Sequence, residues 1–430
     1  MKRVFTFTLL LLAGFILYPA FFSIWTLFTD PGIRNGGPTK ISFKVHKSLS
    51  TRLPEYIDDR IESEIATPLT VEEIEATEWP LYGAFFYLRA TEKLQAQYEN
   101  NQTLSSSSPK ESGKTAIEAS VRLLLDENHA HWVKVYWGEN LDPHSNCFYR
   151  LLVAGGLGAH HRLTGSTEHL PVLRMHLKAL TYHLDQSSHG LIDDYPGQCF
   201  PMDVAAAIGI VREYSKIIGE DRIDWAKDAL ARMLQHSDGK LPAYTADVFT
   251  GTIQTPSRGC TNGFGLPFIR EADPETGERL YQQYCDRFWK NDSLAQGWRE
   301  FDMSYSPDWL YFDADAGPVL WSFGTAATGL GLGTARAYRD HEKSSILGCE
   351  LLATSLPLPN GRLLIPSLVA NKEHAPYFPE IVLMYQLSQS SSASDEPGPI
   401  PGIFWLITGT QLALGLVLLR FGYKRLRKKN

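Results

Sequence analysis

Hydrophobic residues dominate both ends of the chain and recur with helical period between them. From Val4 to Thr29 no charge interrupts the run VFTFTLLLLAGFILYPAFFSIWTLFT, and a second apolar run spans Pro397 to Leu419. About 20 apolar residues suffice to cross a bilayer as a helix, and a helix satisfies its own backbone hydrogen bonds where lipid cannot. Trp25 and Trp405 stand near segment ends, where indole rings favour the headgroup region. The pattern predicts transmembrane helices over 4–29 and 399–420. Lys2 and Arg3 precede the first, and Lys424, Arg425, Arg427, Lys428 and Lys429 lie in a basic tail, 421–430. Positive flanks stay cytoplasmic, so both termini are expected in the cytoplasm of a cell-membrane protein, with the intervening chain periplasmic or otherwise extracytoplasmic. The first run is longer than a signal-peptide core and no A-x-A site follows, so it reads as an anchor rather than a cleaved signal.

Between the anchors the pattern forms a loose repeat. Helices rich in Gly, Ala and aromatics begin near Trp79, Cys147, Met202, Gly259, Gly317 and Pro376, at intervals of roughly 55–65 residues. More amphipathic stretches follow at 115–128, 166–184, 222–235, 274–289 and 340–354, and a short helix is expected over Pro54–Ile65. Thr167 with Glu168, and Asp273-Pro274-Glu275, read as helix starts. Leu163-Thr164-Gly165, Ser237-Asp238-Gly239 and Pro359-Asn360-Gly361 read as turns between units. Residues 101–114 are a Ser-rich loop and 389–398 a Ser/Pro linker into the second anchor. Six tight helices inside a looser ring would make 50–388 an all-α domain, an (α/α)6 toroid. A solenoid also repeats, but needs regular consensus positions that are missing here.

Charge and composition narrow the function. The formal net charge is −7, with no basic block outside the tail, which argues against nucleic acid. The five cysteines form no C-x-x-C pair, and their spacing suits no zinc site. No H-E-x-x-H, G-x-S-x-G, P-loop or dinucleotide fingerprint is present. Neither a metal nor a cofactor is expected.

In a toroid the funnel forms where loops enter the inner helices, so residues just before those helices are the candidates. The stretch 190–203, GLIDDYPGQCFPMD, offers Asp193, Tyr195 and Asp203 for acid/base work and Cys199 as a lining residue. Asp203 serves equally as a helix cap. Asp193 and Asp194 point to opposite faces in extended chain, so one of them is structural. In 254–262, Arg258, Cys260 and Asn262 are binding candidates, and Arg258 could hold an anion or pair with an aspartate. In 308–317, Trp309 precedes Asp313 and Asp315, two apart, which share a face in extended chain. Two carboxylates in one site raise one pKa, which suits proton transfer, whereas a cap and turn is the plain structural alternative. A Ca²⁺ loop would need further acidic ligands that this stretch lacks. Tyr377 and Glu380 offer a binding residue and either a general acid or a buried structural carboxylate.

Taken together, Tyr149 with RLTGS166, GLIDDYPGQC followed by AAAIGIVREY, ADPE with LYQQYCDRFW over 272–289, and FDADAGPVLWSFGTAATGLGLGTARA resemble the linalool dehydratase/isomerase family. The resemblance covers roughly 145–340 and implies an (α/α) toroid. It also implies Tyr149 as a binding residue and dehydration–isomerisation by two cysteines and a histidine. Superposed by eye, Asp193 and Met202 stand at the two thiol positions and Leu152 at the histidine, with Cys199 off register. The family's thiol chemistry cannot run at those positions, but a carboxylate at Asp193 could still serve a leaving hydroxyl.

The expectation is a membrane-anchored lyase or isomerase acting on a small hydrophobic or lipid-linked alcohol. One alternative is a carbohydrate-active toroid with Trp79, Trp137, Trp309 and Trp321 as stacking faces and two carboxylates across the funnel. Another is a non-catalytic binding or scaffold protein of the cell envelope, marked by a funnel plugged with its own side chains.

Overall fold

The computed structural model describes residues 2–427, apart from 68, 70–72, 138–145, 305–308, 314–315 and 390–392. Helices dominate, with short antiparallel strands in the connections. The helices Lys2–Thr29 and Gly402–Arg427 are long and apolar enough to cross a membrane. They pack antiparallel, Gly415 against Leu17 and Gly422 against Leu10. Thr6, Ala13, Ala20 and Leu27 are buried at every seventh position of the first, as are Thr408, Gly415 and Gly422 on the second. A seven-residue period keeps a seam on one side of each helix, and small residues there let backbones approach. Most of the remaining surface of the pair is exposed and apolar.

Six helices touch in cyclic order. Ile74–Asn100 packs on Cys147–Thr164, followed by Pro201–Tyr214, Gly259–Ala272, Thr325–Ala337 and Phe378–Ser388, which returns to Ile74–Asn100. The amphipathic helices pack on them. Lys114–Leu125, Leu170–Gln186 and Ile223–Met233 each contact two successive members of the cycle. Pro274–Phe288 and His341–Ser355 each lie on the member that precedes them in sequence, and Lys40–Ser50 contacts the first and last members. Small residues set the spacing of the inner helices. A side chain at Gly158 would overlap the Tyr214 ring, one at Gly265 the Met202 side chain, and one at Gly331 the Trp298 indole.

Two expectations need correction. The inner helix expected from Gly317 starts at Thr325, because Gly317–Leu320 pairs antiparallel with Leu310–Asp313 and then with Phe323–Gly324. Pairing with a partner strand overrides the helical pattern of a short apolar run. Thr167 is not the cap expected of it, since the helix begins at Leu170 behind His169, and Asp273 holds the cap position without a side-chain cap bond. None of the five cysteines forms a disulfide.

At the C-terminal ends of the inner helices, charged side chains close the assembly. Arg89 pairs with Glu213 at 2.8 Å, and Arg162 reaches Glu92 at 2.9 Å and Glu213 at 2.8 Å. Buried Arg336 donates to the carbonyls of Gly32, Gly37 and Gln389, tying both terminal segments to this end. Cations in the last turn, as Arg162 and Arg336 are, also complement the helix dipole.

Candidate functional site

The opposite end is built from the starts of the same helices. Tyr82, Phe148, Phe264 and Phe378 come from four of them and meet there. The Tyr82 ring lies 5.4 Å from Phe148, 5.4 Å from Phe264 and 5.8 Å from Phe378. Trp79 lies flat on Phe378 at 4.9 Å. Tyr82 and Phe148 are half-buried, as are Asp203, Thr261, Leu330 and Leu383 on the other inner helices. The cluster is therefore aromatic, and Asp203 lies close enough to act electrostatically on Tyr82.

A charged cluster stands beside it. Gly259 opens its helix by donating its backbone N–H to the Glu300 carbonyl at 2.8 Å, which brings the segment just past the strand Gln296–Trp298 against the helix start. Arg258, just before the helix, donates from Nε to Glu300 Oε1 at 2.8 Å and pairs through Nη2 with Asp313 at 3.1 Å. Its guanidinium lies 4.6 Å from the Tyr244 ring and 5.1 Å from the Phe301 ring. The Cys260 thiol donates to the same Glu300 oxygen at 3.0 Å. Glu300 is fully buried, and among the described residues its Oε2 has no hydrogen-bond partner. Burial raises its pKa to about 7, against the lowering pull of Arg258 and of the hydrogen bonds from Cys260 and Arg258. A carboxyl that titrates near neutrality can both give and take a proton.

The Tyr195 hydroxyl donates to the Glu78 carboxylate. Burial raises the Tyr195 pKa, and the charge of Glu78 raises it further. Burial likewise holds the Tyr82 phenol protonated, reinforced by negative charge from Asp203, Tyr385, Cys260 and Glu78. Two hydroxyls and two carboxylates thus share one electrostatic environment with the Cys260 thiol.

The structure sorts the sequence candidates. Arg258, Cys260 and Asp313 come together, and Asp203 and Tyr195 face the same region. Asp194 is the structural member of its pair: buried, it accepts backbone N–H groups of Phe148 and Phe200 at 2.8 Å each. Asp193 accepts the Gly197 N–H at 3.0 Å, which closes a turn. Cys199 is fully buried in a strand opposite Ala246, and burial pushes its thiol pKa up. Asn262 is buried and donates to Ser257 and the Arg258 carbonyl. Tyr149 packs outward against Trp132 and His176. Glu380 is buried and bonded to Arg52 and the Leu363 N–H, with Arg52 lying over Tyr377. That is the structural arrangement weighed for Glu380. Trp309 and Trp321 project outward, 65% and 64% exposed. Asp315 lies outside the described residues.

Glu300, Glu78 and Tyr82 were not among the sequence candidates. Glu300 sits in WREFD, two residues past the short strand Gln296–Trp298, where no strand was expected and nothing local marks the carboxyl for burial. Glu78 directly precedes Trp79, inside the first turns of a helix that begins at Ile74, earlier than expected. No family model matches the chain, and no characterised protein does.

Proposed function

We propose that this chain is a membrane-anchored lyase or isomerase, an (α/α)6 toroid held by two transmembrane helices on the extracytoplasmic face, that takes a hydrophobic or lipid-linked alcohol into its funnel. The observation that carries the proposal is the buried Glu300 carboxyl, titrating near 7 and bonded to the Cys260 thiol beside an aromatic wall. The closed cycle of helix contacts supports the toroid, and the exposed apolar pair of terminal helices supports the anchors.

In this reading Glu300 and Cys260 form the proton-delivering side. A proton moves to the substrate hydroxyl, the C–O bond breaks and water leaves. Asp203, whose charge acts on Tyr82 and Tyr195, takes the proton from the neighbouring carbon as the double bond forms. Arg258 sets how readily Glu300 gives up its proton. Tyr82 and the surrounding phenylalanines hold the hydrocarbon and exclude water, which strengthens each charge–dipole contact.

The test is incubation of the full chain in detergent with a panel of prenyl and other allylic alcohols, with alkenes and rearranged alcohols followed by gas chromatography and mass spectrometry. Glu300→Gln and Asp203→Asn should each reduce turnover at least 100-fold, on the order of one lost acid or base. Unchanged turnover in both variants, or none in the unmodified chain, removes the reading. The packing of Tyr82 among three phenylalanines favours a second reading, a lipid-binding protein without turnover. That reading predicts retention of alcohol or lipid through purification in both variants alike.

A further inference from the structure

The exposed apolar side chains are distributed unevenly. Outside the terminal helices, and among the described residues, nearly all the large exposed ones lie in loops that lead into the inner helices. Val135, Phe249, Met303, Phe312, Trp321 and Val369 represent four such loops, with exposures from 59% to 75%. Met175 and Tyr182, on the flank of an outer helix, are the exceptions. The described loops at the other end, after the inner helices, expose no large hydrophobic side chain. Single exposed hydrophobics are ordinary, but a set confined to one face marks a partner surface.

The terminal helices say which partner. Arg336, in the last turn of an inner helix, bonds the carbonyls of Gly32 and Gly37, which places those residues at the closed end. Toward the N-terminus the chain climbs the flank: Ile33 lies against Gly348, and the Ser23 hydroxyl donates to the Leu352 carbonyl, in the last turn of an outer helix. Outer helices end where inner helices begin, so Ser23 is already level with the funnel. About 20 further residues of helix, roughly 30 Å, continue beyond it. The second terminal helix follows the same course. Pro399 bonds Ser345 near the start of that outer helix, Ile403 then donates to Leu294, and the helix runs on antiparallel to the first. Both helices leave the domain at the funnel end.

We infer that the funnel rim is an interfacial surface resting on the lipid bilayer, with the funnel opening into the headgroup layer. The hairpin Leu310–Asp313 with Gly317–Leu320 is the part that penetrates furthest. It carries Phe312 outward, with exposed Trp321 directly after it, while its Asp313 pairs with Arg258 at the site. Trp and Tyr are suited to this position, with an apolar body and a polar tip. The inference rests on the terminal helices being anchors, and it adds that substrate passes from the bilayer to the site without crossing water.

The experiment uses the full chain reconstituted into phosphatidylcholine/phosphatidylglycerol vesicles. An environment-sensitive NBD label is attached in turn to Phe312→Cys, Val369→Cys, Glu168→Cys at the closed end, and Val417→Cys on the second terminal helix. Unsubstituted protein gives the background from the native cysteines. All four positions are well exposed, so the substitutions leave the fold intact. Expected are blue-shifted emission at 312 and 369, lost on adding lipid with a doxyl group near the headgroup. Label at 417 should be quenched by deeper doxyl groups, and label at 168 should behave as in water. If 312 and 369 behave like 168 while 417 is quenched, the interfacial surface is overturned and the anchors stand. If 417 is also unquenched, the anchors fall and this inference falls with them.

Discussion

The Cys260 thiol donates to Glu300 Oε1 at 3.0 Å across a sequence separation of 40 residues. The carboxyl that receives it is fully buried and is also bound by Arg258. Burial works against ionisation and Arg258 works for it, and burial wins, leaving Glu300 near 7.

That balance has a signature in stability. A carboxyl raised to about 7 in the folded state binds more protons there than in the unfolded chain between about 4.5 and 7. Its contribution is therefore fully present below about 4.5 and is lost as pH rises through 7. The span corresponds to on the order of 3 kcal/mol. Glu350, also raised to about 7 by burial, acts in the same window, so the informative quantity is a difference. Subtracting the stability–pH curve of Glu300→Gln from that of the unmodified chain should isolate a downward slope between pH 4.5 and 7. Parallel curves would contradict the assignment.

Gly259 holds the cluster together. A Cβ there would overlap the Arg299 backbone carbonyl, and backbone cannot turn aside as a side chain can. Gly259→Ala should separate the Glu300 segment from the helix start and cost about 1–3 kcal/mol, as overpacking does. Thermal unfolding in detergent checks the stability, and the pH slope just described should shrink with it as Glu300 gains access to water.

Two buried histidines predict acid lability. Burial lowers His46 to about 3, where its ring stacks on Tyr87 and meets the Thr91 hydroxyl at 3.1 Å. His176 is lowered to about 3 by burial and by Arg150. Groups depressed in the folded state contribute stability above the unfolded value of 6.5, and that stability is lost as pH falls toward 3. His46→Gln should flatten this acid limb, read as the midpoint of acid unfolding by circular dichroism. An unshifted midpoint would show that His46 does not control it.

The seam between the terminal helices is testable at Gly415. A Cβ there would stand 2.5 Å from Leu17 Cγ and 3.4 Å from the Ala13 carbonyl. Gly415→Leu should force the pair apart and lower its stability by about 1–3 kcal/mol, whereas Leu414→Val, on an exposed face, should leave it unchanged. Disulfide trapping between cysteines placed at Ala20 and Thr408, one heptad along the seam from the Ala13–Gly415 contact, would report the separation.

Apolar runs and helical periodicity are local properties, so the sequence alone determined the two terminal helices and most of the alternating inner and outer elements. Cys147, Met202 and Gly259 stand within a residue of observed helix starts because turn and start residues act over a few positions. Tertiary structure decided what each polar side chain does. Glu380 pairs with Arg52, 328 residues away, and Asp194 turns inward to hold two helix starts. Strand pairing at Gly317–Leu320 displaced an expected helix and set Asp313 against Arg258. Glu300 titrates near neutrality only through burial, and burial is the sum of distant contacts. The terminal runs themselves show the same division. Their composition gave them the length to cross a membrane, but Arg336 and Leu352 set the end of the domain from which they emerge.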